Sequence, residues 1–171
     1  MIHVYCGDGK GKTTAAMGLA LRMAGYGRPV LVLQFMKGRF AGEIEALKRF
    51  SNVYIYRNAT DLGFSWEMGE KEREQARQMH DQTIRKAASR IAKMPVFLVV
   101  MDEIFSAYQH DMVSRELVQN FVEAHKRETE LVLTGRDPDP YFVDMADYIT
   151  EMKKIRHPYE QGIQARKGIE Y

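Results

Sequence analysis

Residues 2–24 decide how this chain is read. An apolar run, Ile2-His3-Val4-Tyr5-Cys6, leads straight into Gly7-Asp8-Gly9-Lys10-Gly11-Lys12-Thr13-Thr14, and then into the Ala- and Leu-rich stretch AAMGLALRMA at 15–24. Strand, glycine-rich turn and helix in that order are the setting in which Gly-Lys-Thr forms a phosphate-binding loop. The glycines let backbone N–H groups turn inward toward anionic oxygens. The helix N-terminus adds its partial positive charge. In such a loop Lys12 is expected on the terminal phosphates and the Thr13 hydroxyl on Mg²⁺. One position departs from the strict G-x-x-x-x-G-K-T pattern: Cys6 stands where the first glycine belongs, and Gly7 comes one place late.

Beyond this loop, short apolar runs alternate with longer helical patterns, which predicts βαβ units around a parallel sheet. Strands are expected at Ile2–Cys6, Pro29–Phe35, Val53–Arg57, Val96–Met101, Glu130–Thr134 and Asp147–Met152. Several are nearly continuous in Val, Leu, Ile or Tyr, as strands covered on both faces are. Helices are expected at Lys12–Ala24, ending at Gly25 and Gly27, and at Glu43–Phe50, Glu70–Lys93 and Arg115–Lys126. The segment Asn58–Gly69 and the tail Ile155–Tyr171 read as loops, with Ile163 and Ile169 suggesting that the tail packs down. The fold class is α/β, with a mostly parallel central sheet flanked by helices on both faces, and residues 1–171 read as a single domain.

Composition narrows the function classes. A chain of 171 residues is about one domain long. Its hydrophobic content of 45% and charged content of 28% are those of an ordinary globular protein and exclude disorder and coiled coil. Lys and Arg total 25 against 23 Asp and Glu, a net charge of +2, which gives no reason to expect nucleic acid or a membrane surface as partner. No apolar run approaches the ~18 residues of a membrane span. The N-terminal MIHVYCGDGKGK has no signal-peptide pattern. The lone Cys6 forms no intrachain disulfide, which fits a reducing, cytoplasmic setting.

A second acidic feature supports the loop. Val96–Met101 runs into Asp102-Glu103, and an acid at such a strand end, expected beside the first strand, holds Mg²⁺ directly or through water. Asp102 could instead cap a helix at Glu103–Gln109. Leu133-Thr134-Gly135-Arg136 follows another strand, at the rim where open α/β sheets bind ligands, so Arg136 could reach a phosphate. Lys37, in Gln34-Phe35-Met36-Lys37-Gly38, ends the second strand at the same rim. Phe64 and Trp66 lie in a loop with no period, as packing or as a platform for a large apolar ligand. His80, His110, His125 and His157 lack metal-ligand spacing. No kinase catalytic loop, nucleophile elbow or Ser-His-Asp order is present. The chain can hold a nucleoside triphosphate but shows no general base, so the other reactant would be a nucleophile with no proton to remove.

With GDGKGKTTAA (7–16), QFMKG (34–38), GE (42–43), GFSWE (63–67), MDEI (101–104), LTGR (133–136) and the tail RHPYEQGIQARKGIEY (156–171), the whole chain resembles the P-loop corrinoid adenosyltransferases. Cys6 matches that family's own loop, which also lacks the first glycine. The resemblance implies a RecA-like fold, a homodimer, and transfer of the 5′-deoxyadenosyl group of ATP to the cobalt of a reduced corrinoid such as cobalamin, with release of tripolyphosphate. It implies that ATP lies in the loop in reverse. Gly7, Asp8, Gly9, Lys10, Gly11, Lys12, Thr13 and Thr14 would hold the phosphates, and Arg22 and Arg136 would make further ATP contacts. Thr13 with Asp102 or Glu103 would hold Mg²⁺. Phe64 and Trp66 would displace the lower axial ligand of cob(II)alamin and ease its reduction, with a flavodoxin-like protein as electron donor. On the residues alone, two other classes stay open: a small-molecule kinase or general NTPase, and a non-catalytic corrinoid or nucleotide carrier.

Overall fold

The computed structural model describes residues 1–36, 38, 40–57 and 69–170. Six strands form one sheet: β1 (Ile2–Cys6), β2 (Val30–Gln34), β3 (Val53–Arg57), β4 (Leu98–Asp102), β5 (Glu130–Thr134) and β6 (Tyr148–Glu151). The helices are α1 (Lys12–Gly25), α2 (Gly42–Leu47), α3 (Glu70–Ile91), α4 (Ile104–Gln109), α5 (Arg115–His125) and α6 (Pro140–Met145), with a 3₁₀ turn at Pro158–Gln161. The strand order is β3-β2-β4-β5-β1-β6, and every pairing is parallel.

The strand sequences explain the layering. β2 and β4 are buried along their whole length, and successive side chains point to opposite faces. Val30, Val32, Leu98, Val100 and Val132 pack with Ala16, Met17, Ala20 and Ile44 of α1 and α2. Leu31, Leu33, Val99, Met101, Leu131 and Leu133 point the other way, into a core shared with Ala76, Ile84, Phe105, Val118 and Phe142. Each fully buried side chain of this kind contributes roughly 1.5–3 kcal/mol. The expected α/β architecture, with helices on both faces, is realised in an all-parallel sheet.

Two expectations are corrected. The acidic strand does not lie beside the first one: β5 pairs with both β1 and β4 and so stands between them. One short helix, α6, fills a stretch where six residues are too few to display a period, whereas α4 realises the helix offered at Glu103–Gln109, starting one residue later. The start of α6 is nonetheless written in sequence, because Asp139 caps it by accepting from the Tyr141 N–H at 3.0 Å and Pro140 occupies its first turn.

The tail does return to the body of the protein, though less by apolar packing than its sequence suggests. Ile163 and Ile169 remain about half exposed. The contact is ionic instead: Lys10 Nζ meets Glu170 Oε1 at 3.3 Å. Among the described residues, no helix is long and apolar enough to cross a membrane.

Candidate active site

Because all six strands run the same way, their C-terminal ends share one rim, the ligand crevice of open α/β sheets. The loop after β1, the end of β4 and the end of β5 meet there.

The loop 7–14 is built as much against its own chain as around a ligand. Gly7 N–H donates to the Arg136 carbonyl at 2.8 Å and Gly9 N–H to the Met152 carbonyl at 2.6 Å, while Met152 N–H donates back to the Cys6 carbonyl at 2.8 Å. The Asp8 carboxylate accepts from the Lys154 N–H at 2.9 Å. A Cβ on Gly7 would lie 2.6 Å from the Met152 carbonyl oxygen, and one on Gly9 would lie 2.5 Å from it. Both glycines are therefore required by the chain beyond β6, quite apart from any phosphate. Gly11, at φ +118°, makes the left-handed turn into α1.

Lys12 closes the loop from within. Its Nζ donates to the Gly7 carbonyl at 2.6 Å and the Gly9 carbonyl at 2.8 Å. Burial lowers its pKa, and the neighbouring Glu103 carboxylate opposes that shift. The loop borders a polar cavity of about 230 Å³ whose wall also includes Glu103, Arg136, His157, Ile169 and Glu170. Glu170 is held by Arg166, whose guanidinium and backbone N–H both donate to it, and its pKa is pulled down to about 2.

The two carboxylates at the end of β4 separate into different environments. Asp102 is fully buried. Its Oδ1 accepts from the Thr13 hydroxyl at 2.8 Å and the Thr134 hydroxyl at 2.9 Å, and its Oδ2 accepts from the Gln34 amide at 3.2 Å. Glu103 adopts φ +62°, a conformation rare outside glycine and Asn-like residues. That twist turns its side chain into the cavity wall, while its own N–H donates to Thr134 Oγ1 at 2.9 Å. The helix-cap alternative for Asp102 is not realised: Glu103 occupies the cap position of α4, with no side-chain cap bond.

This donor set suits a hard cation. Thr13 gives its proton to Asp102 and so keeps an oxygen lone pair for a metal, and Glu103 offers carboxylate oxygen at the same cavity. Among the described residues, no group of three or more His, Cys, Asp or Glu could hold a metal on its own. A cation that takes one or two protein oxygens and fills its shell with water and phosphate, as Mg²⁺ does, fits this arrangement.

A second cavity, of about 600 Å³, adjoins the first. Thr13, Thr14, Ile169 and Glu170 border both, and Met17, Leu21 and Leu47 give the larger one an apolar lining. The sequence contained no signal for it beyond the Gly42-Glu43 pair, because it forms only where α1, α2 and the tail come together. Arg22 follows Leu21 near the end of α1, is exposed, and borders neither cavity. Phe64, Trp66 and Lys37 lie outside the described residues. His80 is buried, with its Nδ1 2.8 Å from the Met112 carbonyl and its Nε2 accepting from the Met36 N–H at 3.4 Å.

A family model described as ATP:corrinoid adenosyltransferase BtuR/CobO/CobP matches residues 1–171. Among curated proteins, a corrinoid adenosyltransferase of Pseudomonas aeruginosa is 34% identical over all of this chain and 83% of its own length. One from a Sinorhizobium species is 36% identical over all of this chain and 80% of its own. The corrinoid adenosyltransferase CobA of Salmonella typhimurium is 33% identical, with 85% of its length covered.

Proposed function

The chain belongs to the ATP:corrinoid adenosyltransferase family, and from that premise we propose that it transfers the 5′-deoxyadenosyl group of ATP to the cobalt of a reduced corrinoid and releases tripolyphosphate. The observation that carries this reading at the level of the site is the meeting of Lys12, Thr13 and Glu103 around one polar cavity that opens beside a larger, partly apolar one. The smaller cavity offers charge for a polyphosphate; the larger one offers an apolar recess directly beside it.

The chemistry asks little acid–base work of the protein. The Co(I) lone pair attacks C5′ of ATP, the C5′–O bond breaks, and its electron pair leaves on tripolyphosphate. No proton needs removal, so the reaction calls on the cations, hydroxyls and carboxylates of the cavity wall and not on its one imidazole, His157, whose Nδ1 accepts from the Tyr159 N–H. Catalysis then rests on orientation and on stabilising charge on the leaving group. The Lys12 ammonium, already positioned by two loop carbonyls, exchanges them for phosphate oxygens. Arg136, at the cavity wall, adds a second cation. Thr13 and Glu103 would hold Mg²⁺, with Asp102 behind Thr13 as its proton acceptor. When bound, the cation neutralises the polyphosphate.

Phe64 and Trp66 are assigned, on family resemblance, to removal of the lower axial ligand of cob(II)alamin. The same resemblance supports a cytoplasmic homodimer served by a flavodoxin-like reductant, and Arg22 as a further ATP contact.

The test is incubation with ATP, Mg²⁺ and chemically reduced cobalamin, following the visible spectrum of the corrinoid and the phosphate products. A cobalt–carbon bond formed in step with tripolyphosphate is the expected result. ADP with orthophosphate, or a phosphorylated acceptor, would replace this reading with an NTPase or kinase.

A further inference from the structure

Gln34 ends β2, and the sheet register sets it directly opposite Asp102 of β4. It is 1% exposed. Its Nε2 donates to Asp102 Oδ2, whereas its Oε1 is buried with no hydrogen-bond partner among the described residues. A buried acceptor left unpaired is destabilising, and an aliphatic side chain of the same size would avoid that cost. Turning the amide over would not help, since Oε1 would then face the carboxylate, acceptor against acceptor. The residue therefore makes sense at this position for what its Nε2 does.

Thr13 and Thr134 hold Asp102 Oδ1, and Gln34 holds Oδ2. Donors on both oxygens fix the carboxylate plane. That plane decides which way Thr13 points its proton, and so where Thr13 presents its lone pair. We propose that Gln34 is a positioning residue for the cation of the bound nucleotide: by fixing Asp102 it keeps the Thr13 oxygen turned toward that cation. This rests on the reading of the polar cavity as a Mg²⁺–nucleotide site. Gln34 itself touches neither cation nor phosphate in this scheme; it acts through Asp102.

The experiment is calorimetric titration of ATP into the whole protein, with and without Mg²⁺, for the wild type, Gln34→Met, Asp102→Asn and the double variant. Gln34→Met preserves volume and removes the orphaned acceptor but also takes a donor from Asp102 Oδ2, so its thermal midpoint is measured alongside to establish that the variant is folded. The gain in ATP affinity from Mg²⁺ should fall about tenfold, the loss of one hydrogen bond to a charged group, while Mg²⁺-free affinity stays within about twofold. In the Asp102→Asn background the same change should add nothing, because its route is already cut. A folded Gln34→Met protein with an undiminished Mg²⁺ gain overturns the proposal, as does a loss that adds fully to that of Asp102→Asn. Should Gln34→Met not fold, Gln34→Leu is a second apolar replacement with no donor for Asp102 Oδ2, and an undiminished Mg²⁺ gain there is equally fatal. A wild type that binds no ATP at all would instead remove the functional reading beneath it.

Discussion

Thr13 donates its hydroxyl proton to Asp102 Oδ1 at 2.8 Å, although the two residues lie 89 positions apart. The contact joins the loop after β1 to the end of β4, across the intervening β5, whose Thr134 donates to the same oxygen at 2.9 Å. With Gln34 of β2 donating to Oδ2, three strands and the first turn of α1 are tied at one buried carboxylate. Removing it leaves two hydroxyls and an amide facing each other without their acceptor. Asp102→Asn should keep the fold but reduce kcat/KM by one to two orders of magnitude, about 1.4–2.8 kcal/mol of transition-state stabilisation. Thr134→Val should instead cost stability, about 1–3 kcal/mol, because Asp102 Oδ1 and the Glu103 N–H both lose a partner. Urea denaturation and steady-state kinetics on the two variants separate these effects.

Lys12 bridges two carbonyls of its own loop and has its pKa lowered by burial. Lys12→Ala should therefore act mainly on nucleotide use, raising the KM for ATP at least about tenfold, in line with loss of a charge-assisted contact of ~1.5–3 kcal/mol. Binding of cobalamin alone should be unchanged. Equal losses in both would place Lys12 in the architecture of the loop instead of in contact with phosphate.

Two glycines of α1 and its loop should respond in opposite directions. A Cβ at Gly9 would sit 2.5 Å from the Met152 carbonyl oxygen, a backbone atom with little freedom to move. Gly18, in the middle of α1, has nothing within 4 Å of its Cβ position. Gly9→Ala should destabilise by about 1–3 kcal/mol through strain. Gly18→Ala should stabilise by about 0.5–1 kcal/mol through helix propensity, while narrowing the larger cavity that Gly18 borders. Thermal denaturation measures the first pair of effects, and corrinoid titration the second.

Much of this was legible in sequence, for identifiable reasons. β1, β3 and β5 match their expected bounds residue for residue, since each apolar run stops at a glycine, an asparagine or a charged residue. The β4 expectation runs two residues early because Val96 and Phe97 extend the apolar pattern past the point where regular pairing begins. The separate roles of Asp102 and Glu103 could not be read from adjacency. They depend on the positive φ at Glu103, which sends neighbouring side chains to different places. Gln34 and Thr134 become site residues only through the register of β2, β4 and β5, and register between distant strands is not written in any one of them.

His80 supplies a pH dependence with a defined sign. Burial lowers its pKa below the ordinary histidine value, against the Met112 carbonyl and Asp81, which favour the charged form. Below that ordinary value, about 6.5, the unfolded chain takes up a proton that the folded chain refuses. Stability should thus be fully present above about pH 6.5 and decline as the pH falls below it. His125, also lowered by burial, contributes in the same sense. Urea midpoints taken from pH 8 to pH 5 should show this decline in the wild type and a shallower one in His80→Gln. An identical slope in the two would mean that other groups carry it.

The aromatic pair Phe64 and Trp66 gives the most discriminating kinetic test of the reaction. A lower axial ligand donates electron density toward the orbital that must accept the electron, so four-coordinate cob(II)alamin is the more easily reduced species. If the two rings exclude that ligand, their removal burdens only the reduction, since tuning a cofactor's electronics is the protein's part and the alkylation belongs to the cobalt. Phe64→Ala with Trp66→Ala should reduce turnover strongly when the assay begins from cob(II)alamin and a mild reductant. Turnover should fall far less when cob(I)alamin is formed chemically beforehand. Visible spectra would report the same difference directly, as the four-coordinate species accumulating in the wild type with ATP bound and failing to do so in the double variant. Equal losses from both starting states would assign the rings to holding the corrinoid rather than to altering its coordination.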